Sequence, residues 1–320
     1  MILQLMYRLA APAGRDSRLT VMIYHRVMRQ PDALLSSEPD EREFEARMRN
    51  VKSWFNVLPL PEAIMRLQEG TLPDRPLAIS FDDGYADNFE VALPVLRRLG
   101  LSATFFVATG FLDRGRMWND TVIETVRRCQ GDALDLSALG LGRYETSTIE
   151  QKQQTIDSLL KHLKYMEDVQ RTDVVARIAE TCPSPLPHDL MMTSAQVREL
   201  HRAGMTIGAH TVNHSILSGL STIRARGEIA QGREHLYEIV GVPITLFAYP
   251  NGKPGQDYGP EHVAMVKELG FSGAVSTAWG AAQTGCDIYQ VPRFTPWDRS
   301  AWKYGIRLAQ NLRRSHYVTV

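Results

Sequence analysis

Short apolar runs rich in β-branched and aromatic residues alternate along this chain with longer stretches whose apolar positions recur every three or four residues. The first pattern is that of strands, the second that of amphipathic helices. Strands are expected at 19–27, 77–82, 102–108, 205–209, 244–249, 271–276 and 287–293. A helix is expected at 41–55, where Phe44, Met48, Val51 and Phe55 share one face. Further helices are predicted near 61–68, at 86–99 with Pro94 kinking or restarting it, up to Arg202 with Ser194 as its cap, and at 222–240, 261–269 and 298–313. Residues 1–18 show no clear periodicity and read as an arm.

The short rhythm breaks between 109 and 200. A long amphipathic helix is predicted over 149–166, with Ile156, Leu159, Leu160, Leu163 and Met166 on one face, and Pro183, Pro185 and Pro187 then make a stiff connector. This stretch, about 111–190, reads as a helical insertion or lid. Strands alternating with helices imply parallel βαβ units, and about seven strands fit a closed or nearly closed barrel better than an open sheet. The expected organisation is an arm (1–18), an α/β barrel (19–295) interrupted by the insertion, and a C-terminal helix (296–320). A length of 320 residues is ordinary for one barrel.

Composition narrows the field. An apolar content of 44% with 22% charged residues is that of a soluble globular protein. Zero formal net charge gives no reason to expect a nucleic-acid partner or an anionic membrane surface. Cys129, Cys182 and Cys286 have no CxxC spacing, so neither a disulfide framework nor a cysteine zinc site is expected, and a reducing compartment is the simplest inference. The apolar start from Met1 to Ala10 carries Arg8 and lacks a basic leader, and no run reaches the length of a membrane span. A cytoplasmic location is expected from this.

Candidate chemistry sits at strand ends. Leu77-Ala78-Ile79-Ser80-Phe81 runs into Asp82-Asp83-Gly84-Tyr85. Alone, two acids and a glycine after a strand are ordinary turn chemistry. The run Gly208-Ala209-His210-Thr211-Val212-Asn213-His214 likewise begins at a strand end. In a parallel barrel the carboxyl ends of the strands gather on one rim. Two histidines and one carboxylate then make a zinc-type ligand set with an open position for water, and the second carboxylate is left to act as a base. His25, Tyr249-Pro250-Asn251-Gly252 and Arg293 fall on the same rim. Each has a plainer reading: a core histidine, a turn, an arginine paired with any acid.

With these residues in view, the chain resembles the polysaccharide deacetylases of carbohydrate esterase family 4, the NodB-homology group, over roughly 20–110 and 190–295. Ser80-Phe81-Asp82-Asp83-Gly84-Tyr85 is similar to the family's first motif and His210-Thr211-Val212-Asn213-His214 to its second. The resemblance implies a distorted (β/α)7-type barrel, Asp82 as catalytic base, Asp83, His210 and His214 as ligands of a divalent metal (zinc first), and hydrolysis of N-acetyl groups on an acetylated glycan. There are departures. Where the family carries an arginine in its third motif, this chain has Ala248; the oxyanion-donating amide would fall at Asn251. We expect Arg293 to supply the missing guanidinium from another strand. The family's late Leu-x-His motif, source of its general acid, has no match, and Val291-Pro292-Arg293 occupies that region. His25 is the candidate acid, since Tyr24-His25-Arg26-Val27 resembles the opening strand of the exopolysaccharide branch. Trp118 and Tyr249 are the candidate sugar contacts. Two rivals stand beside this reading: a metal amidohydrolase acting on a small non-sugar C–N substrate, and a non-catalytic glycan-binding barrel.

Overall fold

The apolar runs become strands whose register fixes where each chain segment leaves the sheet. A computed structural model describes residues 2–113, 115–295, 297–314 and 316–320. Its strands are β1 (Arg18–Tyr24), β2 (Asn56–Val57), β3 (Pro76–Phe81), β4 (Thr104–Val107), β5 (Ala133–Leu136), β6 (Gly142–Glu145), β7 (Thr206–Ala209), β8 (Leu246–Ala248), β9 (Gly273–Val275) and β10 (Ala282–Gln283). The main sheet runs β10-β1-β3-β4-β7-β8-β9, with β2 beside β3. Every pairing in it is parallel except β1 with β10. Tyr24 pairs with Phe81, Phe81 with Phe105, Val107 with Ala209, and Ala248 with Val275. The carboxyl ends of these strands therefore lie on one rim of a distorted (β/α) barrel.

Strands buried on both faces read as near-continuous apolar runs, and β3 is buried throughout. Val21, Ala78, Phe106, Leu246, Ala248, Val275 and Val291 form an inner layer, closed below by Leu60, Ala63, Ile64 and Leu67 of helix Leu60–Glu69. Met22, Ile79, Phe81, Phe105, Ile207 and Phe247 pack outward against the helices. Alternation along β3 thus aims Ala78, Ser80 and the following Asp82 inward.

The strand expected at 287–293 is absent as a regular element. Pro292 has no N–H to continue a ladder. Instead Val291 bridges to Val275 of β9 and Phe294 to Met22 of β1. An irregular segment therefore seams the two ends of the parallel sheet.

The arm expected at 1–18 is instead a helix over Ile2–Ala10. Leu3, Tyr7 and Ala11 form its buried stripe, and the Tyr7 hydroxyl donates to the Gly305 carbonyl at 2.9 Å on the closing helix Ala301–Arg313. The C-terminal boundary expected at 296 falls outside the described residues. Pro94 lies in the first turn of helix Leu93–Leu99, which restarts after a π-helical turn at Asn88–Ala92. The cap of helix Ser194–Arg202 is Thr193, one residue before the one expected; Ser194 donates from its amide and hydroxyl to Asp113.

Between 111 and 190 lie helices Trp118–Arg128, Ile149–Leu163 and Asp168–Glu180 and the β5–β6 hairpin. They share a separate apolar cluster built on Val122, Leu136, Leu159 and Ile178. The Ser215 hydroxyl donates to Asp168 at 2.8 Å, tying this unit to the barrel rim. Among the described residues no helix is long and apolar enough to cross a membrane.

Candidate metal centre and its cavity

The rim brings four side chains together. β3 runs on into Asp82, whose amide donates to the Tyr24 carbonyl at 2.9 Å. The chain then turns through Asp83 in the left-handed region, φ 77°, and Gly84, φ 93°. A Cβ at Gly84 would meet Val107 Cγ1 at 2.9 Å, so only glycine fits this turn without a shift. A non-glycine residue held at positive φ carries strain of about 1–3 kcal/mol; here it swings the Asp83 carboxylate toward the histidine loop.

That loop leaves β7 at His210. Thr211 and His214 also sit at positive φ, 66° and 51°. Glu228 of helix Thr222–Val240 pins it, accepting from the amides of Val212 (3.0 Å) and Asn213 (2.8 Å) and from the Asn213 side chain (2.7 Å). Gly232 on the same helix admits the close approach, since a Cβ there would lie 2.8 Å from the Thr211 carbonyl oxygen.

His210 Nδ1 lies 2.7 Å from the Ala248 carbonyl. A carbonyl only accepts, so Nδ1 carries a proton. Burial lowers the imidazole but Asp82 and Asp83 together pull it above its ordinary range, and Nε2 faces Asp83, where a cation would displace any proton on it. Asp83 Oδ1 lies 3.5 Å from His210 Nε2 and 3.3 Å from His214 Nε2. That oxygen is buried with no hydrogen-bond partner among the described residues. The three potential ligand atoms lie within 4.8 Å of one another. An orphaned buried carboxylate oxygen flanked by two imidazole nitrogens fits a divalent cation of the zinc type. Burial pushes the His214 imidazole down to about 4, against the pull of Asp83, which leaves the ring neutral at pH 7. Neutral imidazole is the metal-binding form.

Asp82 is held differently. Arg293 Nη1 donates to Oδ1 at 2.6 Å and Nη2 to Oδ2 at 2.7 Å. Arg293 is itself anchored, its Nε donating to the Ser276 carbonyl at 3.0 Å and Nη1 to Ser80 Oγ at 3.3 Å. Burial alone would raise the Asp82 carboxyl; the charge and hydrogen bonds of Arg293, together with His210 and His25, outweigh it and hold the group below the ordinary carboxylate range.

These groups floor a cavity of about 600 Å³, walled by His25, Trp118 and Asn251 among others. Helix Ile149–Leu163 and the residues after it contribute Leu160, Lys161, Lys164 and Tyr165 to the opposite side. Asn251 has φ 57°, and its carbonyl accepts from Thr277 Oγ1 at 2.6 Å. Tyr249, expected at the sugar, does not line the cavity: its ring stacks on Tyr258 at 3.9 Å and its hydroxyl donates to the Tyr289 carbonyl. The phenol faces the core because alternation from β8 turns it outward. Arg171 lies over the Trp118 ring at 5.1 Å, so the indole already has one occupied face.

Sequence reasoning missed Glu228, Thr277 and Asp120. Asp120, two residues after Trp118, accepts from the Tyr85 hydroxyl at 3.1 Å. Burial pushes its carboxyl up to about 7. Arg26 lies 4.5 Å over the Tyr85 ring and pairs with Asp87 at 2.8 Å, so a buried polar network backs the site. No spacing signal marks these residues, because their partners come from separate elements.

The sequence pattern of the polysaccharide deacetylase family matches residues 69–274. A Bacillus subtilis (strain 168) protein provisionally named polysaccharide deacetylase YxkH is 20% identical over 281 residues, 87% of this chain and 71% of that one. Among solved structures, the Streptococcus pyogenes deacetylase PplD in complex with acetate is 18% identical, with 92% of this chain and 98% of that chain covered and a TM-score of 0.61. IcaB from Ammonifex degensii is 20% identical, with coverages of 95% and 98% and a TM-score of 0.59. At these identities the structural likeness is one of fold.

Proposed function

The chain belongs to the polysaccharide deacetylase family, and we propose that it hydrolyses N-acetyl groups on a glycan of the N-acetylglucosamine type, with a zinc-class cation at Asp83, His210 and His214, in exopolysaccharide or cell-envelope glycan metabolism. The observation that carries this reading is the unpartnered Asp83 oxygen between two imidazole nitrogens, with the Arg293-bound Asp82 beside it on the floor of one cavity.

A cation held by these three residues supplies Lewis-acid polarisation of the acetyl carbonyl and a more acidic water. The chain's own groups do the rest. Asp82 accepts a proton from the attacking water; its pairing with Arg293 fixes its orientation at some loss of basicity. The water oxygen bonds to the acetyl carbon. The Asn251 amide donates to the oxygen on which negative charge develops, and Thr277 steadies that residue through its carbonyl, one peptide unit further on. The C–N bond then breaks, acetate leaves, and His25 at the end of β1 protonates the departing amine. Trp118 gives the sugar ring an aromatic wall.

The test is metal analysis of purified protein alongside acetate release from acetylated chitooligosaccharides, for wild type and Asp82→Asn. Bound zinc in both, with turnover in the variant down about 10²–10⁴-fold, is the expected result. Full turnover in Asp82→Asn, or a protein that takes up no divalent cation, rejects the reading.

A further inference from the structure

Lysine is scarce in this chain, seven among 36 basic residues, yet Lys161, Lys164 and Lys253 all line the cavity above the candidate metal centre. Lys161 and Lys164 come from the end of helix Ile149–Leu163 and the residue after it, Lys253 from the loop after β8. Among the described residues, no carboxylate oxygen comes within 4.0 Å of any of the three ammonium groups. Of the four lysines outside the cavity, Lys52, Lys152 and Lys267 each have a partner, and Lys303 has none among the described residues.

The plainer explanation is that lysines at a helix C-terminus offset its dipole. That covers Lys161 and Lys164 but not Lys253, which no helix end explains. Nearby Asp257 hydrogen-bonds the Tyr165 hydroxyl and the Lys253 amide rather than an ammonium, and its single negative charge offsets at most one of the three positive ones. Burial pushes the Lys164 ammonium below its ordinary range; Asp257 opposes this and the Lys253 charge adds to it, so the two lysines stand close enough to repel. On the floor, Asp82 is balanced by Arg293, and Asp83 is the carboxylate a cation would balance. The chain as a whole has zero net charge, so this positive surplus is local. Lysine binds oxyanions as a mobile point charge, whereas neutral sugar hydroxyls need no such group.

We propose that the saccharide taken by this cavity carries an oxyanion, a phosphoryl or a carboxylate group, near the acetamido group to be hydrolysed, and that Lys161, Lys164 and Lys253 hold that oxyanion. The proposal rests on the deacetylase reading above.

The experiment compares acetate release by the zinc-loaded protein from three probes: triacetylchitotriose, an N-acetylglucosamine phosphate, and a disaccharide of glucuronate and N-acetylglucosamine. One anionic probe is expected to exceed the neutral one in kcat/KM by about tenfold or more at low salt, with the advantage shrinking as salt rises. Which of the two wins identifies the oxyanion. In Lys164→Gln and Lys253→Gln the KM for that probe should rise roughly fivefold more than the KM for the neutral probe. Equal or better turnover of the neutral probe, with no salt effect on the ratio, overturns the proposal and leaves the deacetylase reading standing. No acetate from any probe, nor from a chromogenic acetyl ester, overturns that reading and the proposal with it.

Discussion

Arg293 grips Asp82 through two hydrogen bonds of 2.6 and 2.7 Å although 211 residues separate them. Both side chains are buried, and each is the other's closest charge partner on leaving water. Arg293→Ala leaves a buried, unpaired carboxylate and is expected to lower unfolding free energy by about 3–5 kcal/mol, read by urea denaturation. Arg293→Lys keeps the charge and loses the two-pronged contact; its stability should fall less, while acetate release falls with it. A fully stable, fully active Arg293→Lys protein would show that the fork geometry is immaterial.

His214→Ala removes one of the three clustered ligand atoms. Bound zinc should fall from about one equivalent to well below it, measured by elemental analysis after dialysis. Stripping the wild type with a chelator and titrating zinc back should raise its stability by about 2.7 kcal/mol at a hundredfold excess over Kd. The variant should show little of that gain. A variant retaining full zinc would remove His214 from the site.

Asp120 gives a pH signature. Its folded carboxyl lies at about 7 against an ordinary 3.8. The folded state therefore holds a proton that the unfolded chain has released through that window, and stability falls as pH rises from 4 to 7. The loss amounts to on the order of 4 kcal/mol and is complete above the folded value. Asp120→Asn mimics the protonated group, so its advantage over wild type should be larger at pH 8 than at pH 5 in matched denaturation curves. An advantage that does not change with pH would reject this account.

His25→Ala tests the proton donor. Turnover of an acetamide should fall about 10²-fold or more, while an acetyl ester with a good leaving group, which needs no proton, should be far less affected. Equal losses on both substrates would point to a structural role.

Much of the rim was readable because period-two alternation and the strand–helix rhythm fix which residues follow a strand. His210 and Asp83 could be placed together on paper for that reason, whereas Arg293 was set against Asp82 only by the family resemblance, whose arginine is missing at Ala248. The support behind them could not be read. Glu228 reaches the histidine loop from the middle of the next helix, and Asp120 reaches Tyr85 from the insertion. Neither contact leaves a spacing in the sequence. Tyr249 was misjudged because its neighbours in the loop face the cavity while its own side chain turns the other way. The helix Ile2–Ala10 was hidden by exposed Leu5 and Leu9, which blur its apolar stripe.

The seam at 291–294 also sets a timetable for synthesis. Asp82 leaves the ribosome 211 residues ahead of its counter-charge, on the order of 10–40 s at ordinary elongation rates. Through that interval the growing polypeptide holds an acid it has no means of burying. The base and the last staple of the cylinder therefore arrive in working order together, and a nascent chain stalled before residue 291 has neither.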